Sequence, residues 1–383
     1  MAEFLTARLS AVERVGRLRT LAGAVEGVDF WSNDYLGLGA GAQVRGEVKE
    51  RGLPAGPGST GSRSISGDHP AYHALEARIA AYHGQAAALV FNAGYTANLG
   101  LLSALLRRTD TIVYDELVHA SCRDGIRLGQ AKAYRFRHND LDDLRRQVAR
   151  ARPDGQVFVL TEGRFSMDGD VAPLAEMAGL CRAASAHLIV DEAHSAGLDG
   201  AGGAGLVVQL GLAEEVFATV VTYGKAFGTH GAAVLGSVAL REYLINTARP
   251  FIYSTAPAPA QWSAIAAAYD RMEARHAEQI ALLTARVADF HAAVNAAGLR
   301  AAVPLVHGPI QTVRLPGNEA VMAAEAACRT AGLLVKGIRS PTVKAGEERL
   351  RICLHSFNTA EELGALVGRL AALESLRAAA VRT

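Results

Sequence analysis

The chain has 383 residues, half of them apolar and 6% aromatic, with 39 basic against 38 acidic side chains and a formal net charge of +1. That length buries a large core, in two or three domains or in one large and one small. A balance so close to neutral gives no electrostatic footing for nucleic acid or an anionic membrane.

The four cysteines (Cys122, Cys181, Cys328, Cys353) are far apart in sequence. They form no metal-like pair and read as reduced thiols of an intracellular, cytoplasmic protein with no bound metal. Met1 to Ser10 carries Glu3 and Arg8 and no long apolar core, so no signal peptide is expected. The longest charge-free stretch, Phe251 to Tyr269, contains Pro257, Pro259 and Gln261, which makes it a poor membrane span.

Phe4, Leu5, Leu9, Val12, Val15 and Leu18 recur at helical spacing and predict an amphipathic helix over Glu3 to Leu21. Phe30 to Gly37 reads as a short strand ending in polar turn residues. Gly56 to Gly67 is too rich in Gly and Ser for a regular element. Its glycines suit a structured loop with close backbone approach, to another subunit in a homodimer. Tyr72, Leu75, Ile79 and Tyr82 mark a helix over His69 to His83. From Ala87 onward apolar runs alternate with helical segments such as Thr96–Leu106 and Leu174–Ala184. The runs are Ala87–Phe91, Thr111–Tyr114, Val157–Thr161, His187–Val190, Val216–Val221 and Ala232–Leu235. This alternation predicts an α/β fold with a mainly parallel central sheet covered by helices. A helical pattern from Gln261 to Ala297 then leads to a smaller C-terminal α+β domain. Strands there are expected at Ile310–Leu315, Leu333–Ile338 and Leu350–Leu354. The expected division is 1–45 for the N-terminal helix and short strand, 46–260 for the large domain, and 261–383 for the linking helix and small domain.

In parallel sheets the ligand lies beyond the carboxyl ends of the strands. Polar and ionisable residues collect at five such ends: Asn92, Gly94, Tyr95 and Thr96; Asp115, Glu116 and His119; Thr161, Glu162 and Ser166; Asp191, Glu192 and His194; Thr222 and Lys225. Lys225 follows a buried strand among small neighbours. Burial lowers a lysine pKa and suits it to Schiff-base chemistry, although a lone loop lysine is ordinarily solvated. Asp191 is costly at a buried strand end unless paired. It fits the protonated ring nitrogen of pyridoxal phosphate, or else a helix cap. Gly94-Tyr95-Thr96 opens a helix whose N–H groups favour a phosphate. Thr222, and Ser254 and Thr255 from a symmetry partner, could add ligands to it. His119 could stack on a flat ring, or simply start a helix. His194 lies in reach of the same ring, or is structural. A Schiff-base enzyme without cofactor also fits Lys225, but it has no need of the aspartate or the phosphate site.

The chain resembles the α-oxoamine synthases, fold-type I pyridoxal phosphate enzymes that condense a small amino acid with an acyl thioester and release carbon dioxide. The stretches that carry the likeness are SNDYLGL (32–38), GSTGSRSISG (58–67), HALEARIAAYHG (73–84), HND (138–140), TEGRFSMDGD (161–170), DEAHSAG (191–197), TYGKAFG (222–228), FIYSTAP (251–257) and RSPTVKAGEERLRI (339–352). They cover nearly the whole chain in the family's order. The compact length, HND and FSMDGD are most similar to the branch that joins L-alanine to a pimeloyl thioester, on CoA or an acyl carrier protein, in biotin synthesis. A glycine- or serine-using branch is the alternative, and an aminotransferase on the same fold a further one.

The resemblance implies Lys225 as the Schiff-base lysine and Asp191 on the ring nitrogen. It implies His119 stacked on the ring, with Ser166 and His194 near its phenolic oxygen and Glu162 among the cofactor-binding residues. Gly94, Tyr95 and Thr222 would hold phosphate, with Ser254 and Thr255 across a homodimer that shares its active sites. His119, Asn33 and Arg351 would meet the amino acid, and Arg19 and Thr342 the acyl substrate. Arg164, Lys344 and Tyr223 depart from the family's usual residues.

Overall fold

The computed structural model describes residues 3–16, 18, 21, 23, 25–39 and 58–373. They form two compact units. One comprises the described residues within Met1–Tyr35, Met167–Gly169 and Ile280–Thr383; the other, larger one comprises those within Leu36–Ser166 and Asp170–Gln279. These boundaries lie away from 45/46 and 260/261. The helix Pro259–Ala296 runs unbroken through the second boundary, so no change of pattern marks it.

The N-terminal helix spans Glu3–Arg14 and stops short of Leu21. Gly16 takes the left-handed conformation at φ 63°, which ends helices cheaply at glycine. Strand β1 is only Val28–Asp29. The expected strand over Phe30 to Gly37 does not form, because Asp29 Oδ1 accepts the N–H groups of Trp31 and Ser32, both at 2.9 Å. That side-chain turn bends the chain away from a ladder.

The larger unit is built on seven strands: β2 (Ala87–Phe91), β3 (Thr111–Asp115), β4 (Lys132–Phe136), β5 (Val157–Glu162), β6 (His187–Asp191), β7 (Val216–Thr222) and β8 (Ala232–Gly236). Their order is β2-β8-β7-β6-β5-β3-β4, and only β8 pairs antiparallel, with β2 and β7. Side chains alternate between two cores, as the pleat requires. Phe158, Leu160 and Ile189 pack with Leu101, Leu102 and Ile126 on one face. Val159, Leu188 and Val190 pack with Leu144, Leu174 and Met177 on the other. Burial on both faces is why these strands read as continuous apolar runs. β4 carries no such run. Lys132, Ala133 and Arg135 are exposed on this edge strand, and charge protects an edge from further pairing.

The loop over 58–67 is ordered by ion pairs and packing. Arg63 is buried, bonds Asp68 Oδ1 through Nε at 2.8 Å and pairs with Glu76 through Nη1. Glu76 also accepts Val90 N–H at 3.0 Å and pairs with Arg241 at 3.0 Å. The guanidinium of Arg63 lies 5.1 Å from the Trp262 ring centre. Gly56 and Pro57, at the start of the expected loop, lie outside the described residues.

In the smaller unit β9 (Ile310–Arg314), β10 (Leu333–Leu334), β11 (Lys336–Ile338) and β12 (Arg349–Cys353) replace the three strands expected. Val335 interrupts the run over Leu333 to Ile338, so β10 pairs parallel with β1 while β11 pairs antiparallel with β12. Among the described residues no helix is long and apolar enough to cross a membrane.

The helices Gly94–Leu105 and Ala120–Leu128 meet where Gly125 has no side chain; a Cβ there would lie 2.9 Å from Leu102 Cβ and 3.0 Å from Asn98 O. Gly125→Ala is expected to destabilise the protein by about 1–3 kcal/mol despite alanine's better helix propensity, because both neighbours are held in the core. Urea unfolding of the two proteins measures this; equal midpoints would show that the helices can part without cost.

Candidate active site

β3, β5, β6 and β7 pair parallel in sequence along the sheet, so their carboxyl ends share one edge. Asp191 closes β6 and is 3% exposed. Its Oδ1 accepts Ala193 N–H at 3.0 Å, and its Oδ2 accepts Asn98 Nδ2 at 2.7 Å and Cys122 Sγ at 3.9 Å. The bond to Ala193 is the local turn that a helix-cap reading expects; the bond to Asn98 is not local. Glu162 stands opposite Asp191 in the β5–β6 register. Its Oε1 accepts the backbone N–H of His119 at 2.7 Å. Burial, then the Asp191 carboxylate, push the Glu162 pKa up to about 8, against the pull of Lys225 and the His119 N–H.

His119 starts the helix Ala120–Leu128, and its Nδ1 accepts Ser121 N–H at 3.2 Å. The same nitrogen lies 2.8 Å from Ser121 Oγ. Burial holds its pKa below the ordinary value; Asp191 opposes this, and Lys225 and Arg123 add to it. Lys225 is half-buried in the turn after β7 and acts electrostatically on both Glu162 and His119, so all three share one site. Gly228 closes that turn by donating its N–H to Lys225 O at 2.8 Å.

Gly94 starts the helix Gly94–Leu105 directly beside Thr222; a Cβ on it would lie 2.6 Å from Thr222 Cγ2. Ala93 before it brings no side-chain acceptor to the helix start. The Tyr95 ring meets His119 edge-on at 6.4 Å, and its hydroxyl pairs with Asp124. Thr222 Oγ1 lies 3.5 Å from Ala193 O. His194 is buried, and Ser166 is half-buried where the larger unit breaks off before Met167. Ser254 and Thr255 lie in the segment between the helices Arg249–Ile252 and Pro259–Ala296, where Thr255 O accepts Asn92 Nδ2 at 3.2 Å.

Asn33, Arg351 and Thr342 belong to the smaller unit. Arg351 is buried, and its Nη2 donates to Asn33 Oδ1 at 3.0 Å and reaches Tyr35 OH at 3.4 Å. Thr342 is exposed. Arg19 lies outside the described residues. Of the residues that depart from the resemblance, Arg164 is buried and pairs with Asp199 at 2.9 Å and 3.2 Å. Tyr223 is fully buried and meets Tyr269 OH at 3.3 Å. Lys344 is exposed.

Asn98, Ser121 and Cys122 complete the Asp191 environment and went unread in the sequence. The signal was there for Asn98: one amide on a helix face otherwise made of Ala97, Leu101 and Leu102, all buried.

The residues fit a protonated heteroaromatic ring bearing a phosphate. An ionised carboxylate has about four acceptor positions, and Asp191 uses three, which leaves one for a ring N–H. A glycine helix start whose N-cap side chain accepts nothing is a seat for phosphate oxygens. Among the described residues no group of three or more His, Cys, Asp or Glu side chains is arranged to hold a metal ion.

Residues 25–370 match the family model of aminotransferase class I and II. The chain belongs to that family. Its curated relatives include 8-amino-7-oxononanoate synthases: that of Anaeromyxobacter dehalogenans strain 2CP-1 is 40% identical over 97% of this chain and 95% of its own. That of Methylococcus capsulatus is 42% identical over 90% and 88%. Among solved structures, serine palmitoyltransferase of S. paucimobilis, with a bound PLP–myriocin adduct, superposes with a TM-score of 0.88 at 26% identity, over 100% of this chain and 98% of that one. The 8-amino-7-oxononanoate synthase of Francisella tularensis gives 0.75 at 29% identity, over 90% and 97%. The architecture is that of the fold-type I transferases.

Two outcomes follow from the buried charges. Glu162 has a raised pKa, so folding favours its neutral form. The stability it contributes is full below about pH 4.5, the ordinary value, and is lost as pH rises through about 8. The cofactor-free protein should therefore unfold at lower urea at pH 8.5 than at pH 5, and Glu162→Gln should flatten that slope; an unchanged slope would place the titration elsewhere. Arg164→Leu leaves the partly buried Asp199 without this partner and should cost about 1–3 kcal/mol, while adding Asp199→Asn should recover part of it. A double-mutant cycle by urea unfolding reads the coupling.

Proposed function

We propose that this chain, a pyridoxal phosphate-dependent acyltransferase, condenses L-alanine with a pimeloyl thioester to give 8-amino-7-oxononanoate, carbon dioxide and free thiol, a step of biotin synthesis. The observation that carries the chemistry is Asp191, a buried carboxylate in the same electrostatic site as Lys225 and bonded to Asn98 of the helix that starts at Gly94. The choice of acyl and amino-acid substrates rests on the curated relatives, about two-fifths identical over nearly the whole chain.

Pyridoxal phosphate, when bound, supplies an electron sink for charge developing at the α-carbon of the amino acid. Asp191 holds a proton on the ring nitrogen, which keeps that sink effective. The N–H groups at Gly94 and Tyr95, with Thr222, hold the phosphate. Ser254 and Thr255 add to it from the second subunit of a homodimer. His119, whose backbone Glu162 fixes, would pack on the ring, and Ser166 and His194 would help to orient it. The Lys225 amine would hold the cofactor in the resting enzyme and, when free, would take the α-proton of the amino acid. Arg351, oriented by Asn33, binds the substrate carboxylate through its guanidinium fork. Arg19 and Thr342 meet the acyl chain. The four described cysteines are buried free thiols, in keeping with a cytoplasmic enzyme.

A second reading takes serine as the amino acid. It is favoured by the serine palmitoyltransferase neighbours, whose TM-scores exceed that of the Francisella tularensis synthase at lower sequence identity. Thiol release from pimeloyl-CoA should be at least about tenfold faster with L-alanine than with glycine or L-serine. Equal or faster release with serine would move the enzyme to that branch. Borohydride reduction of the holoenzyme and peptide mapping should mark Lys225 alone. Asp191→Asn should slow α-proton exchange of L-alanine in deuterated buffer by about two or more decades. Exchange within a few-fold of the parent would mean that the carboxylate serves only as a turn.

A further inference from the structure

The network behind His119 allows its protons to be counted. Asp191 Oδ2 and Ser121 Oγ lie 2.7 Å and 3.0 Å from the same nitrogen, Asn98 Nδ2. A carboxylate has nothing to donate, so the amide group of Asn98 must face Asp191 with its nitrogen. Both of its N–H bonds are then spent, one on Asp191 and one on Ser121. Ser121 Oγ is thereby an acceptor from Asn98, and its own proton is left to donate. The Cys122 thiol also neighbours that hydroxyl, and His119 Nδ1 lies 2.8 Å from it. The backbone N–H of Ser121, which can only donate, points at the same Nδ1 from 3.2 Å. Nδ1 therefore receives two donors and carries no proton. Ser121 is fully buried and Asn98 is 3% exposed, so solvent does not compete for either bond.

We propose that Ser121 and Asn98 are positioning residues that fix His119 as the neutral imidazole with its proton on Nε2. Three consequences follow. His119 offers a hydrogen-bond donor at Nε2, suited to a carboxylate or a developing carbonyl oxyanion. It cannot serve as a base through that nitrogen, which leaves α-proton removal to Lys225. Finally, the tautomer is tied to Asp191, because the Asn98 amide that orders Ser121 is itself ordered by the Asp191 carboxylate. A second group thus sets the tautomer of a catalytic histidine, as histidine chemistry requires. The assignment concerns the protein's own atoms; only the identity of what His119 faces rests on the proposed function.

The test is nitrogen NMR of the cofactor-free, full-length protein labelled with ¹⁵N-histidine, at neutral pH. The His119 signals are identified by their loss in His119→Asn. The parent should show one neutral imidazole protonated at Nε2. Ser121→Ala keeps the backbone donor but loses the hydroxyl, and should shift the tautomer ratio by roughly tenfold toward Nδ1–H, the worth of an ordinary hydrogen bond. Ser121→Thr, which keeps the hydroxyl, should restore the parent ratio. A parent signal from the Nδ1–H form or from an imidazolium would overturn the assignment, whether or not the variants fold. An unchanged ratio in Ser121→Ala would overturn the role of the hydroxyl. The spectral response of the holoenzyme to L-alanine is recorded alongside. A missing response with the Nε2–H form intact would count against the proposed function and leave the network standing.

Discussion

The site depends on satisfying one carboxylate inside the protein. Asp191 is nearly without solvent, and an unpaired charge there would cost several kcal/mol. Its three donors come from three places in the chain: the turn that follows it, the helix Gly94–Leu105 and the helix Ala120–Leu128. Those two helices pack tightly because Gly125 lets Leu102 and Asn98 come close. The helix that holds Asp191 through Asn98 also begins at Gly94, beside Thr222. One packing arrangement therefore sets both the Asp191 carboxylate and the Gly94 helix start, the ring-nitrogen partner and the phosphate seat of the proposed function.

The neighbouring buried polar groups follow the same logic. Glu162 is in register with Asp191, and two ionised carboxylates at adjacent strand ends would repel each other. The raised pKa of Glu162 relieves this by keeping it largely neutral, and the His119 N–H uses its oxygen either way. Glu192 is also buried and pushed up to about 7, with Val207 N–H at 2.9 Å and Ser195 Oγ at 3.2 Å as its partners. His83 is the neutral counterpart. Burial holds its pKa down to about 4, and its two nitrogens are spent on Ala204 O and Tyr269 OH, both at 2.8 Å. Tyr223, two residues before Lys225, joins the same chain of hydroxyls through Tyr269. The aromatic wall under the lysine turn is thus hydrogen-bonded as well as packed.

Arg164, one of the residues that depart from the resemblance, has a structural role within the larger unit. Its guanidinium is occupied by both oxygens of Asp199, so the residue pins two loops at the carboxyl edge of the sheet. Arg63 acts likewise on the glycine-rich loop, through Asp68, Glu76 and the face of Trp262. In each case a buried guanidinium is paired inside the fold.

The sequence by itself determined the parallel strands, because burial on both faces forces continuous apolar runs, and it placed Asp191 and Lys225 at their ends. It also carried the family, since motifs such as DEAHSAG and TYGKAFG are local in the chain. It did not reveal β4, whose exposed edge needs no apolar run, or the end of the first helix at Gly16. It gave a strand after Phe30 where the Asp29 side chain instead captures the backbone. Only the tertiary structure brought Asn98 and Ser121 to Asp191 and His119. Such partners are chosen by distance in space and by the count of donors and acceptors, and neither leaves a spacing in the chain.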